Sequence, residues 1–98
     1  MKIQKTKDGS IMTVALEGRL DTTTAPDLEK EIMDDLEGIT ELKFDFSDLN
    51  YISSAGLRVL LRAHKAMEKQ GQMTVSGASE DIMDIFDVTG FVDIFHIV

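Results

Sequence analysis

Apolar residues take every second position in two separated stretches, Met12-Thr13-Val14-Ala15-Leu16 and Leu42-Lys43-Phe44-Asp45-Phe46, and this alternation constrains the fold more than any other feature. A period of two places one side of an extended strand in a core and the other near water. Strands buried on both faces read instead as continuous apolar runs, so the pattern predicts a sheet covered by helices on one face only and disfavours a doubly wound fold. Met73-Thr74-Val75-Ser76 repeats the alternation more weakly. Ahead of the first stretch, Lys2 to Lys7 reads as another strand, joined to Ile11–Glu17 as a hairpin by the turn Asp8-Gly9-Ser10.

Three helical patterns separate the strands. The first opens at Thr24, with Asp27 near the capping-box spacing, Pro26 in the first turn and an apolar stripe of Ala25, Leu28, Ile32 and Leu36. The second starts at about Ala55, turns Leu57, Leu60, Leu61 and Met67 inward, and stops at Gly71, a residue suited to the left-handed position after a helix. The third follows Ser79, with Glu80 and Asp81 where the helix dipole favours acids, Ile82, Ile85 and Phe86 inward, and Gly90 at its end. A last strand between Asp93 and Val98 is expected to carry Ile94 into the core, with Ile97 a second candidate. The order β-β-α-β-α-β-α-β requires crossover connections, so the sheet beyond the hairpin should be mostly parallel, a mixed sheet with the helices on one face. With no linker, repeat or low-complexity segment, residues 1–98 read as one α/β domain.

Composition removes several classes of function. Eighteen acidic residues against ten basic ones leave a formal charge of −8, which opposes non-specific binding to nucleic acid or to anionic membranes and points to protein partners. The absence of cysteine removes disulfides, thiolate metal sites and cysteine nucleophiles. The first residues, Met1-Lys2-Ile3-Gln4-Lys5-Thr6-Lys7, lack the apolar segment of a signal peptide, and no stretch is long and apolar enough to insert in a membrane, so a cytoplasmic location is expected. His64 and His96 lie far apart with no acidic cluster around either, so neither a metal nor another cofactor is expected. No phosphate-cradling glycine loop, nucleophile elbow or paired-histidine motif is present, and Asp45 lacks the companions of a receiver-type phosphoaspartate; the chain reads as a non-enzyme.

Two short segments hold hydroxyls where a strand hands over to a helix. In Tyr51-Ile52-Ser53-Ser54-Ala55-Gly56-Leu57 a serine can cap the helix by accepting a backbone N–H, and Gly56 can keep the neighbouring surface open to a partner. The same position suits a phosphate, whose charge of about −1.5 to −2 is stabilised by the free N–H groups at a helix start. Spacing alone does not separate the two readings. Asp21, Thr22, Thr23 and Thr24 form the other segment, with Thr24 as a cap and the rest a solvated turn or part of a docking surface. On the second helix Arg58, Arg62, Lys65 and Lys69 fall on one stripe, either a solvated face or a docking strip for an acidic partner, and His64 packs its ring at the core boundary.

The run Asp48-Leu49-Asn50-Tyr51-Ile52-Ser53-Ser54-Ala55-Gly56-Leu57-Arg58-Val59-Leu60 resembles the signature loop and helix of STAS domains, the anti-sigma factor antagonist family. Gly18-Arg19-Leu20-Asp21 with Thr24-Ala25-Pro26, and Phe86-Asp87-Val88-Thr89-Gly90-Phe91, resemble two further motifs of that family in the same order. The resemblance implies a partner-switching role. Unphosphorylated members bind an anti-sigma factor that is also a serine kinase, phosphorylation by that kinase ends the binding, and a phosphatase resets the cycle. Carried over by position, the acceptor is Ser54, and the partner surface comprises Asp21, Thr22, Thr23, Ser53, Ala55, Gly56, Leu57 and Arg58. Ser53 stands where these proteins often carry aspartate and is the alternative acceptor. The alternative role is that of a docking subunit of a larger signalling or lipid-transport assembly, without phosphorylation.

Overall fold

The alternation in the sequence is realised as a five-stranded sheet in a computed structural model that describes residues 1–98. Strands β1 (Lys2–Asp8) and β2 (Ile11–Leu20) form the antiparallel hairpin, turned by Gly9 at φ 62°. Strands β3 (Glu41–Ile52), β4 (Gln72–Ser76) and β5 (His96–Ile97) follow in sequential order, each parallel to the one before. Cross-strand register puts Lys5, Val14, Phe44, Val75 and Ile97 in one row and Thr6, Thr13, Lys43, Thr74 and His96 in the next. Successive rows face opposite sides of the pleat. The first row meets helices α1 (Ala25–Met33), α2 (Ser54–Glu68) and α3 (Glu80–Thr89) in a core that includes Val14, Phe44, Leu28, Leu60 and Phe86. The second row points to the opposite, more polar face, where Lys43 is exposed and Thr74 is buried. No helix is long and apolar enough to cross a membrane.

Strand β3 runs on past the alternating stretch as far as Ile52. Its buried positions pass from Leu42, Phe44 and Phe46 to Leu49 and Ile52, a spacing of three that hides the strand from a period-two reading. Register shifts between Ala15 and Glu17 and between Gly18 and Arg19 explain the change. Each irregularity re-aims the side chains and adds local twist.

Three helix boundaries depart from expectation. Thr24 precedes α1 without capping it through its side chain; its hydroxyl donates to the Arg19 carbonyl at 2.9 Å and accepts the Asp21 N–H at 2.8 Å. The helix ends at Met33, so Leu36 is buried from the following turn and not from the helix. Gly71 is not left-handed. A Cβ there would come within 1.8 Å of the Thr40 carbonyl oxygen, so glycine is required by close approach of the two backbones. Ser79 and Gly90 act as expected: Ser79 Oγ accepts the Ile82 N–H, and Gly90 ends α3 at φ 82°. Leu61 and Ile85 sit half-buried at the core margin.

The chain end differs more. Residues Phe91–Asp93 form a 3-10 turn, which shifts the phase of the residues after it, so Phe95 enters the core and Ile94 is exposed. Phe95 stacks on Phe91 at 5.1 Å between ring centroids and meets Phe86 edge-on at 5.6 Å.

Candidate functional site

Strands β2 and β3 end side by side, Leu20 opposite Ile52, so the two loops that follow begin next to each other. The Ser53 N–H donates to the Leu20 carbonyl at 2.8 Å and ties the second loop to the end of the first. This is the carboxyl end of a parallel pair, where loops rather than the sheet set the surface. The structure thereby brings together the Asp21–Thr24 and Ser53–Arg58 segments.

In the first loop the Asp21 carboxylate folds back onto its own loop. Its Oδ1 accepts from the Thr23 hydroxyl at 2.7 Å and from the N–H groups of Thr23 and Thr24. The Thr23 hydroxyl first, and then the two N–H groups, hold this carboxyl below the usual carboxylate value. Asp21 therefore shapes the loop, and Thr22 and Thr23 are the exposed residues.

In the second loop the two serines have separate tasks. Ser53 is the N-cap of α2, its Oγ accepting the Gly56 N–H at 3.3 Å. Ser54, the first residue of the helix, is exposed, and its hydroxyl forms no hydrogen bond within the chain. Ala55 is half-buried and Arg58 is exposed. Gly56 and Leu57, which the resemblance assigns to the partner surface, are both buried in the chain by itself. A Cβ on Gly56 would lie 2.6 Å from Leu20 Cγ, so this glycine lets α2 close on β2. Leu57 belongs to the apolar core.

A groove of about 280 Å³ runs between α1 and α2 beside Ser54, lined by Thr22, Pro26, Ala55, Arg58 and Val59 and crossed by an ion pair between Arg62 and Glu29. On the other side of the loops, Arg19 lies over the Tyr51 ring at 4.4 Å from its centroid and reaches Asp21 Oδ2 at 3.9 Å. Sequence reading assigns no role to Arg19 and Tyr51. They become neighbours only through the irregular register of β2 on β3, which no local pattern discloses. The basic stripe divides: Arg62 is paired, whereas Arg58, Lys65 and Lys69 form no ion pair.

His64 sits at the core boundary as expected, edge-on to Phe95, with Nε2 at 3.4 Å from Glu68. His96, remote in sequence, lines the same hollow of about 120 Å³. No cluster of three or more histidine, aspartate or glutamate side chains is placed to hold a metal ion. The largest surface hollow, about 490 Å³, lies away from both loops, between β1 and α1. There Lys5 binds Asp35 at 2.5 Å and Glu31 at 3.1 Å.

The family model of the STAS domain matches residues 2–98. The anti-sigma-B factor antagonist of Bacillus subtilis is 32% identical over 85 residues, covering 86% of this chain and 78% of its own. That of Listeria monocytogenes is 30% identical over 96 residues, covering 95% and 83%. Among solved structures, the Bacillus cell fate determinant SpoIIAA in its phosphorylated form superposes with a TM-score of 0.78 at 17% identity, covering 99% of this chain and 91% of that one. At that identity the likeness concerns the fold.

Proposed function

This chain belongs to the STAS domain family, and on that premise we propose that it is an anti-sigma factor antagonist that switches partners through phosphorylation of Ser54. Unphosphorylated, it binds an anti-sigma factor with serine kinase activity across Thr22, Thr23, Ser54, Ala55 and Arg58; phosphorylated, it lets that partner go. The observation that carries the reading is the contrast between the serines: the Ser53 hydroxyl is taken up as a helix cap, while the Ser54 hydroxyl is exposed and unengaged. The names of the relatives support the antagonist role, and the solved phosphorylated form of SpoIIAA supports a fold that accepts the modification.

The chain is the substrate in this chemistry and not the catalyst. Ser54 Oγ forms a bond to the γ-phosphorus of ATP held by the kinase, the bond from that phosphorus to the β–γ bridging oxygen breaks, ADP departs, and the hydroxyl proton passes to a base of the kinase or to water. At the first turn of α2 the product phosphate meets unpaired N–H groups and the positive end of the helix dipole, so it is accommodated without refolding. In the complex, the same charge would be buried at the centre of a packed interface. Burial of charge that the partner does not compensate costs several kcal/mol, enough to weaken binding by about a hundredfold or more. A phosphatase restores the binding form.

The test pairs two variants with mass mapping after incubation with ATP and the anti-sigma kinase. Ser54→Ala should bind the partner and take up no phosphate, and Ser54→Asp should bind more weakly with an unchanged circular dichroism spectrum. Equal affinity of wild type and Ser54→Asp contradicts the switch. A complex that forms with no phosphate on either serine identifies a constitutive docking subunit instead.

A further inference from the structure

Arg58 stands one helical turn beyond Ser54, at the i, i+4 spacing that sets two side chains on one strip of helix surface. Both residues are exposed. In a chain with eighteen acidic residues, Arg62 is engaged by Glu29 and Arg19 by Asp21, yet Arg58 has no acidic partner. The first turn of α2 also contains no acid, although a helix start favours one. A guanidinium is thus kept unpaired beside the only exposed hydroxyl of that turn.

Resting on Ser54 as the acceptor, we propose that Arg58 is the built-in counter-ion of the phosphate: its guanidinium closes on the phosphoryl oxygens of the same molecule and holds them over the α1–α2 groove. The polarity is the favourable one, with the anion N-terminal to the cation. The planar fork of arginine matches two phosphoryl oxygens. The acids on the elements packed nearby do not compete, because Asp21 is turned onto Thr23 and Thr24 and Glu29 is held by Arg62. Lys65 and Lys69 lie further along the helix.

The consequence for switching is a double change at one spot. Before phosphorylation Arg58 lines the groove as an unpaired cation open to an acidic group on a partner; afterwards it is withdrawn into a contact within the chain. The arrangement also discriminates between the serines. At about 100° per residue, Ser53 is rotated roughly 140° from Arg58 around the helix, and its hydroxyl already caps the Gly56 N–H, so a phosphate there would lack this partner.

The full chain with phosphoserine installed at position 54 during translation tests this without any kinase. Phosphorus NMR titration gives the second phosphate pKa for wild type, Arg58→Gln and Arg58→Lys. In Arg58→Gln this pKa should rise by about 0.15–0.4 units, with Arg58→Lys in between and the differences shrinking in 1 M salt. Phosphoserine installed at position 53 should titrate alike in the wild-type and Arg58→Gln backgrounds. The proposal is overturned if wild type and Arg58→Gln, both folded by circular dichroism, titrate identically at position 54, or if position 53 depends on Arg58 equally. Failure of the kinase to modify Ser54 is a separate result, against the switch itself, and leaves this titration meaningful.

Discussion

Ser53 Oγ accepts the Gly56 N–H, and through this contact the serine next to the proposed acceptor is the one that starts helix α2. Replacing an N-cap serine by alanine removes the partner of an otherwise unpaired N–H and costs about 1 kcal/mol. Ser53→Ala should therefore lower the melting temperature by roughly 4–8 °C. Ser54→Ala, which removes no hydrogen bond, should stay within about 0.5 kcal/mol of wild type. Urea titrations of the two variants separate a structural serine from an available one; equal losses would remove the distinction.

The contact of Gly71 with Thr40 predicts a steeper loss. A methyl group would sit 1.8 Å from the Thr40 carbonyl oxygen, the same oxygen that accepts the Gln72 N–H at 3.0 Å, so backbone must move and a strand-entry hydrogen bond weakens. Gly71→Ala should cost about 3 kcal/mol, at the upper end for overpacking. Gly56→Ala, facing mainly the Leu20 side chain, should cost less, about 1–3 kcal/mol. Denaturation midpoints in the reverse order would show that α2 tolerates displacement less than the α2–β4 turn does.

Lys5 joins edge strand β1 to the segment after α1, and the pair sets a pH dependence. The hydrogen bond from Lys5, and then its charge, hold the Asp35 carboxyl below its ordinary value of 3.8, while the bond to Asp35, with that to Glu31, raises Lys5 above 10.5. A carboxyl depressed in the folded state stabilises above its unfolded pKa and loses that contribution as pH falls through the folded one; a raised lysine stabilises below its unfolded pKa and loses it as pH climbs. The stability difference between wild type and Asp35→Asn should be flat from about pH 5 to 9 and narrow below 3.8. Guanidinium titrations at pH 7 and pH 3 measure it. The serine-bonded Asp45 and the threonine-bonded Asp21, depressed likewise, keep part of the acid sensitivity in the variant.

The strands and helices that carry a clean period are legible in the sequence: Val14 and Phe44 at a period of two, Leu60 and Phe86 on helical stripes. The elements that escape have no local signature. Leu49 and Ile52 lie in β3 three residues apart because the register slips against β2, and slippage is a property of two strands together. Gly71 looks like a helix-ending glycine until Thr40, thirty-one positions away, is in place. At the site, adjacency of the two loops comes from the family resemblance, and register explains it through Leu20 and Ile52. Leu57 reads in the sequence both as core and as docking surface, and in the fold its side chain packs in the core.

Phe95 takes the place in the core that the sequence assigns to Ile94, and the difference is measurable. Phe95 is 4% exposed, between Phe91, Phe86 and the His64 ring, whereas Ile94 is 44% exposed. Phe95→Ala should cost about 3–5 kcal/mol, as for other buried aromatics, and Ile94→Ala about 0.5 kcal/mol or less. Because β5 has only two residues, its attachment to β4 depends on this anchor. The Val98 N–H, bonded to the Val75 carbonyl at 2.9 Å, should exchange with solvent faster in Phe95→Ala than in Ile94→Ala at matched distance from global unfolding. Loss of protection in the Ile94 variant instead would return that side chain to the core and place the 3-10 turn out of phase.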